Sequence, residues 1–556
     1  MRKLVTGLAC VAAVAAVACK DALTTPNLHD PDIARAYSTP STLAGLIATN
    51  FAQIHQGLFN TSTALDPQLM VAAFESYGTV ANFSMQLREA LPRTQVDNSR
   101  GNFSKDENFR DFQQMSKQAR YAANYVQALD KLTSTGGHLS FPDPAGGTAD
   151  SLNLLGEDTR ARSFAFFNNG VALGWLAMEY DSAAITTPAT RSDSIPALSP
   201  YQDVMAAALA SMDSAIAIAS TPEAEAGFPL PDNYFNGSAM TKDEYIALIR
   251  SFRARFRAGV ARTPAERAAI DWDAELADAL NGIQSDFVLQ INSAEGWGLS
   301  WLDAQMFQNN SAGWHQMPLM IFGMADTSGA YDSWIKLPPS ARPYFLVKTS
   351  DKRWPSGETR AQQQANSTDG IFTHYPYIRN RTGSDTPGDP WGSSFYDFYR
   401  FQALNLAKGR VGPWIAMAKT EMDMLAAEAY IRQSNYAAAA TLINKSRTAA
   451  GLPPVTGTQD GGLTGATCVP RVPTSTGNAT QCGDLMEAMK YEKRMETAYT
   501  GYGQWYFDER GWGDLAEGTP LEWPVPFQEM DARGHPFYNL GGVGGPMGAP
   551  KGTYGF

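Results

Sequence analysis

The chain has 556 residues, of which 44% are hydrophobic, an ordinary share for a globular protein. It carries 44 basic and 56 acidic residues, so its net charge is −12 and it lacks the basic footprint of a nucleic-acid-binding protein. The sequence has no glycine-rich phosphate loop, no HExxH and no CxxC, and its six histidines show no metal-ligand spacing. It therefore predicts no cofactor and no metal site.

The N-terminus has the features of an export signal. Arg2 and Lys3 precede a short apolar stretch over residues 4–18, and Cys19 follows directly after small residues. The stretch is too short for a membrane span, so it predicts a signal peptide over residues 1–18. The sequence around Cys19 is similar to the lipobox of bacterial lipoproteins, which predicts lipidation of Cys19 and a tether over residues 19–40. The alternative is an ordinary signal peptide with an incidental cysteine.

Helical periodicity begins near residue 41 and continues, with breaks, to about residue 292. Phe164, Phe167, Val171 and Trp175 follow one another at spacings of three and four, which places them on one face of a helix. Similar patterns predict further helices near residues 109–122, 205–219, 245–261 and 272–291.

Residues 293–410 differ in kind, because helical periodicity is lost and Gly, Ser, Asn, Asp and Pro are frequent. The stretch holds half of the chain's 12 tryptophans: Trp297, Trp301, Trp314, Trp334, Trp354 and Trp391. A loop-rich insert of this length more often serves a function than not.

A pair of helices is predicted after the insert, over residues 414–432 and 436–450. A short break at residues 433–435 separates them, and Gly451 and the prolines after it end the second helix. Alanines at the facing positions permit close approach, as in a tetratricopeptide-like helical hairpin. A generic helical hairpin fits the same pattern.

Two cysteines, Cys468 and Cys482, remain beyond the predicted lipidation site, and they flank a loop rich in Thr, Pro, Gly and Asn. In an exported protein such a pair predicts a disulfide.

The signature segment, residues 491–514, is the most informative stretch of the chain. Its first half has a helical pattern with Glu492 and Glu496 four residues apart, and two glycines interrupt it. An aromatic run over residues 505–507 follows, with Asp508 and Arg510 beside it. So much aromatic bulk next to an acid and an arginine predicts a buried structural anchor.

The signature segment resembles the C-terminal signature of the SusD/RagB outer-membrane lipoproteins. The matching residues are Glu492, Arg494, Glu496, Gly501, Phe507, Asp508, Arg510, Trp512 and Gly513. Residues 428–454 are also similar to that family, and so is the short motif at residues 523–526. The resemblance implies a mostly α fold with tetratricopeptide-like helical hairpins as a scaffold and a long loop-rich irregular insert. It also implies one domain over residues 41–556, divided into a scaffold (about 41–292 and 411–514), an insert (about 293–410) and C-terminal loops (515–556).

The same resemblance implies a function. Family members are lipid-anchored on the outer surface of the outer membrane and work with a TonB-dependent SusC-like transporter. We therefore expect non-catalytic capture of an oligosaccharide and its delivery to that transporter. Capture of oligopeptides, implied by the RagB side of the family, is one alternative. A scaffold that binds other proteins through its hairpins, without a small-molecule ligand, is another.

Sugars present apolar C–H faces and hydroxyl edges, so a sugar site combines aromatic rings with a few placed polar groups. The six tryptophans of the insert are the candidate ligand residues, together with Tyr77 and Asn82 from an early loop of the scaffold. For any one tryptophan, burial in the core is the alternative. An enzymatic function finds little support, because Glu492 and Glu496 on one helical turn fit a solvated or salt-bridged face better than an acid/base pair across a cleft.

Overall fold

The computed structural model describes residues 33–59, 65–77, 84–102, 108–140, 151–237, 239–299, 316–382, 394–406 and 410–556. The helices of the first half are α1 (Ile33–Ser38), α2 (Pro40–Ala48), α3 (Asn50–Leu58), α4 (Asp66–Ala72), α5 (Met85–Glu89), α6 (Phe109–Ser134), α7 (Ser151–Glu179), α8 (Tyr201–Ala219), α9 (Lys242–Gly259), α10 (Pro264–Ala269) and α11 (Trp272–Leu280).

The longest described helix, α7, is the centre of the N-terminal half. It packs against α6 on one side and α8 on the other. The predicted apolar face of Phe164, Phe167, Val171 and Trp175 is buried, with at most 3% of any of these residues exposed. Helix α9 begins at a capping box, in which Thr241 and Glu244 satisfy backbone N–H groups reciprocally. The helix signals in the sequence and the observed burial of apolar faces thus agree in this part of the chain.

The second half contains shorter elements. Its helices are α12 (Leu319–Phe322), α13 (Ala330–Ile335), α14 (Arg360–Ala365), α15 (Gln402–Leu406), α16 (Lys419–Arg432), α17 (Tyr436–Ala449), α18 (Leu485–Thr497), α19 (Gln504–Trp512) and α20 (Phe527–Arg533). The strands of the whole described chain are β1 (Ser182–Ala184), β2 (Leu198–Pro200), β3 (Phe287–Ile291), β4 (Ile378–Asn380), β5 (Tyr396–Phe398), β6 (Gly412–Met417), β7 (Arg471–Pro473) and β8 (Thr480–Cys482). They form four antiparallel pairs, β1–β2, β3–β6, β4–β5 and β7–β8.

The pairing of β3 with β6 corrects two predicted helices. The helix predicted over residues 272–291 ends at Leu280, and the one predicted from residue 414 begins at Lys419. Residues 287–291 alternate between buried and more exposed positions, as a strand does, and Leu289 lies opposite Trp414. The two strands lie more than a hundred residues apart in the chain, so their ladder could not be read from local periodicity.

Helices α16 and α17 form the predicted hairpin and pack closely on each other. The side chain of Asn435 caps α17 by accepting a hydrogen bond from the N–H of Ala438. Ala426, Ala427 and Ala439 are fully buried at the contact, which lets the backbones approach. Helix α16 also packs against α11 and α18, so the hairpin is continuous with the scaffold.

The signature segment forms α18 and α19, and it is buried as predicted. Trp505, Tyr506 and Phe507 are at most 2% exposed. Lys493 binds Asp508 at 2.8 Å, and the indole N–H of Trp505 donates to the carbonyl of Arg494 at 3.1 Å. These contacts join the two helices of the segment to each other.

The described part of the insert is built mainly from short α-helices of at most six residues (α12, α13, α14 and α15) and the β4–β5 pair. Its apolar side chains join the same hydrophobic core as the scaffold. The predicted fold class, mostly α with tetratricopeptide-like helical hairpins and a loop-rich irregular insert, is confirmed.

Candidate functional site

Three of the candidate tryptophans lie in the core. Trp297, Trp334 and Trp354 are 4%, 2% and 3% exposed. Trp297 packs against Phe51 and His55, with ring centroids 6.3 and 5.2 Å away. These three rings have no face open to a ligand in this structure, unlike a stacking platform.

The neighbours of the other two buried tryptophans come from the insert itself, near in sequence for Trp334 and remote for Trp354. Trp354 meets Tyr396 edge-on at 5.0 Å. Trp334 lies 6.0 Å from Tyr331, and the guanidinium of Arg342 stands 4.6 Å above its ring. Their role in the described structure is to pack the insert against itself.

Most of the remaining candidates lie outside the described residues, and their roles stay predictions: Trp301, Trp314, Trp391, Asn82 and Cys19. Tyr77 is described, and it is partly buried. Its backbone N–H donates to the carbonyl of Gln316 at 2.7 Å, and the N–H of Gln316 donates back at 2.9 Å.

This pairing belongs to a small junction that we call the insert edge, formed by Tyr77, Gln316, Met317, Ser394 and Tyr396. The N–H of Met317 donates to the carbonyl of Tyr396 at 3.0 Å, and the hydroxyl of Ser394 donates to the carbonyl of Met317 at 2.6 Å. These hydrogen bonds hold residues from one scaffold loop and two separate parts of the insert together at one place.

The insert edge contains one described residue next to each of the three segments of the sequence that carry the remaining candidates in the scaffold loop and the insert. Tyr77 borders residues 78–83, Gln316 borders residues 300–315, and Ser394 borders residues 383–393. Asn82, Trp301, Trp314 and Trp391 belong to these three segments. Tyr77 and Ser394 are more than 300 positions apart in the sequence, and the fold brings both of them to the insert edge.

Aromatic and polar groups that were not predicted lie next to the insert edge. The rings of Phe395 and Tyr344 meet at 4.9 Å, and the guanidinium of Arg360 stands 3.7 Å above Phe395. All three side chains are partly exposed. Burial raises the pKa of Tyr344, so its hydroxyl remains a hydrogen-bond donor at neutral pH. A partly exposed ring, a phenol and a guanidinium supply the apolar face and the polar donors that a sugar site needs.

Tyr375 is a second exposed aromatic residue of the insert. It is 36% exposed, and its ring lies 4.9 Å from that of Tyr377. Nearby, His374 Nδ1 contacts a carboxylate oxygen of Asp369 at 2.9 Å. The signal in the sequence, an aromatic residue in a stretch without helical periodicity, was the same as for the buried tryptophans, so exposure could not be told from burial.

The two glutamates weighed as an acid/base pair are inaccessible. Glu492 is fully buried and Glu496 is 7% exposed. Arg353 contacts Glu492 at 2.8 Å and Glu496 at 3.2 Å. The carboxylates thus serve a buried salt bridge, which is one of the two structural roles expected for them.

Two further site predictions concern cysteines and metals. The sulfurs of Cys468 and Cys482 lie 2.10 Å apart, as in a disulfide, at the end of the β7–β8 pair. Within the described parts of the chain, no group of three His, Cys, Asp or Glu side chains is arranged to hold a metal ion. None of the helices in the same ranges is long and apolar enough to cross a membrane.

Comparison with protein-family models gives no match, and comparison with curated protein sequences gives none either. Solved structures do match over most of the chain. A SusD superfamily protein from Bacteroides vulgatus aligns with a TM-score of 0.50 and 11% identity over 89% of this chain and 90% of that one. A SusD homolog from Parabacteroides distasonis aligns with a TM-score of 0.51 and 12% identity over 84% of each chain.

The chain has the SusD-like fold. Surface glycan-binding protein A from Bacteroides thetaiotaomicron, solved in complex with laminarihexaose, shares this fold with a TM-score of 0.51 and 10% identity. That alignment covers 89% of this chain and 98% of the other. The SusD-like fold that the signature segment and the hairpin led us to expect is therefore confirmed, whereas such low identities leave the ligand open.

Proposed function

We propose that the protein is a non-catalytic, cell-surface nutrient-binding lipoprotein that captures oligosaccharides and delivers them to a TonB-dependent SusC-like transporter. The observation that carries the proposal is the insert edge of this SusD-like fold. It joins Tyr77, Gln316 and Ser394, each of which is next in sequence to a segment with predicted ligand residues. It also lies beside the ring, phenol and guanidinium of Phe395, Tyr344 and Arg360.

The proposed ligand residues are Tyr77 and the four candidates that lie outside the described residues, namely Asn82, Trp301, Trp314 and Trp391. A ring that stacks on the C–H face of a sugar removes apolar area from water, while amide and guanidinium groups bond the hydroxyl edges. The similarity to surface glycan-binding protein A from Bacteroides thetaiotaomicron, solved in complex with laminarihexaose, supports oligosaccharide as the ligand class.

The location and the partner follow from the sequence. The predicted signal peptide over residues 1–18 and the lipobox-like sequence at Cys19 support a lipid anchor. Several acyl chains on one cysteine suffice for stable membrane attachment. A protein anchored in this way on the outer surface of the outer membrane needs a transporter to pass its ligand inward, and the resemblance of the signature segment supports a SusC-like one.

The test is a glycan array probed with the mature full-length chain, with a peptide library on the same surface as a matched control. The proposal predicts saturable binding to one class of oligosaccharide, with no cleavage product in mass spectra of the bound glycan. Binding to peptides alone would favour the oligopeptide alternative and contradict the proposed ligand. Binding to neither surface would contradict capture of both kinds.

A further inference from the structure

An open groove lies between the first turns of α9 and the turn that joins α11 to β3, and we call it the acidic groove. Its volume is about 610 Å³, which is within the range of ligand-binding clefts. Its lining combines apolar side chains with carboxylates, among them Met240, Leu280, Val288, Asp243, Glu244 and Asp286. Leu280 is 44% exposed, so part of the apolar lining faces solvent without a packing partner.

The three acidic residues of the groove, Asp243, Glu244 and Asp286, are all exposed. Glu244 uses one carboxylate oxygen to accept the backbone N–H of Thr241 at 2.8 Å, and Asp286 uses one to accept the backbone N–H of Lys419 at 2.8 Å. None of the three forms an ion pair with a lysine or arginine side chain of the described chain. None of the described lining residues is basic, so the groove presents negative charge to solvent.

The lysines next to the acidic groove bind acids that lie outside it. The ammonium of Lys242 pairs with Glu225, and the ammonium of Lys419 pairs with Asp423 at 2.7 Å. Lys242 also attracts its neighbour Asp243, but less strongly than it attracts Glu225. The carboxylates of the groove therefore keep an excess of negative charge beside exposed apolar side chains.

We propose that the acidic groove binds a basic segment of a partner polypeptide, in which lysine or arginine side chains lie beside an apolar one. The exposed carboxylates attract the cations, and the apolar lining covers the aliphatic side chain and the methylene stems of the basic ones. Because carboxylates from two separate elements border the groove, a segment with several basic side chains fits it better than a single small cation. None of the residues of the insert edge lines this groove, so the proposal does not depend on glycan capture there.

The test is fluorescence anisotropy of dye-labelled synthetic hexapeptides titrated with the full-length mature chain at fixed ionic strength. One peptide alternates lysine with leucine, a second alternates lysine with serine, and a third alternates glutamate with leucine. We expect saturable binding of the lysine–leucine peptide, about tenfold tighter than that of the other two, and weaker binding in high salt. Equal binding of either other peptide, or no saturable binding of the first, would overturn the proposal. Displacement of the first peptide by an equal concentration of glucosamine, a small cation, would contradict a polypeptide partner.

Two double variants assign the binding to the acidic groove. Glu244→Gln with Asp286→Asn removes two charges but keeps an oxygen acceptor for both structural hydrogen bonds, so the melting curve should stay unchanged. It should weaken binding of the lysine–leucine peptide about threefold to tenfold, as expected for the loss of exposed charge pairs. The matched control, Asp203→Asn with Glu517→Gln, removes two exposed charges outside the groove and should bind as the parent does. Equal affinities of the two double variants would refute the groove as the site.

Discussion

Removal of Arg353 tests how the insert is held to the signature segment. Arg353 is fully buried and contacts Asp351 at 2.8 Å, in its own loop, and Glu492 and Glu496 on α18. Burial disfavours the charged form of Arg353 and lowers its pKa. The attraction of these carboxylates has the larger combined effect, so the pKa of Arg353 is raised well above its usual range. In Arg353→Met, Asp351 would remain buried without a cation. Glu492 would keep only the longer contact with Arg447 at 3.4 Å, and Glu496 would keep only the contact with Arg400 at 3.7 Å.

Removing one partner of a buried ion pair costs about 3–5 kcal/mol, because the other charge is left in a low-dielectric interior. Burial already raises the pKa of Glu492, so part of the cost would be relieved by uptake of a proton. We therefore expect Arg353→Met to lower the free energy of unfolding by about 3–5 kcal/mol at neutral pH, and by less at acidic pH where the carboxyls are neutral.

The chain offers a matched control for this variant. Arg191 and Asp193 are also an Arg–Asp pair two residues apart, at 2.7 Å, but their side chains are 80% and 66% exposed. Arg191→Met should leave stability unchanged within error, since solvent screens exposed pairs. Urea denaturation of both variants, followed by tryptophan fluorescence, compares them directly. Equal stability of the two variants would refute the assigned role of Arg353.

Three further predictions concern a buried acid and the cysteines. Burial raises the pKa of Asp66 to about 7, so the folded protein binds the proton of this carboxyl group more tightly than the unfolded chain does. The free energy of unfolding therefore falls as pH rises from about 4 to about 7. Asp66→Asn should reduce this dependence of stability on pH, measured by thermal melts across the same pH range. The exposed control Asp193→Asn should keep it. Identical pH dependence in the two variants would contradict the raised pKa of Asp66. Mass spectrometry of unreduced protein should find Cys468 joined to Cys482. Cys468→Ser should lower the free energy of unfolding by at most about 3 kcal/mol, because the disulfide closes only a short loop of the unfolded chain. Free thiols in the parent protein would contradict the disulfide. Cys19→Ala should move the protein out of the membrane fraction, and retention after a carbonate wash would rule out the lipid anchor.

The sequence was sufficient to predict elements that depend on contacts between residues close together in the chain. The helix of α18, the aromatic anchor of α19 and the hairpin of α16 and α17 all depend on residues close together in the chain. Periodicity, alanine content and the glycine at Gly513, which adopts a left-handed conformation at the end of α19, indicate these elements directly. The signature segment was therefore predicted to be buried, and it is.

Local sequence was not sufficient where a residue's neighbours are remote. Trp354 lies in a turn-rich stretch, and its enclosure depends on Tyr396 and Phe322. Trp414 follows a helical period, yet it lies in a strand whose partner is Leu289. A polar, irregular stretch thus predicts loops, but whether an aromatic ring in it is exposed is decided by tertiary contacts. The junction of Tyr77 with Gln316 was outside the reach of sequence patterns for the same reason.

The most direct test of oligosaccharide capture is calorimetric titration of three alanine variants, Trp301→Ala, Trp314→Ala and Trp391→Ala, with the oligosaccharide selected on the array. The account predicts that at least one of them binds more than about tenfold more weakly, the loss of about 2 kcal/mol expected for a hot-spot ring, with an unchanged melting temperature. Trp354→Ala is the control from the core, and it should instead lose about 3–5 kcal/mol of stability. Normal affinity in all three of the first variants would contradict capture at the insert edge.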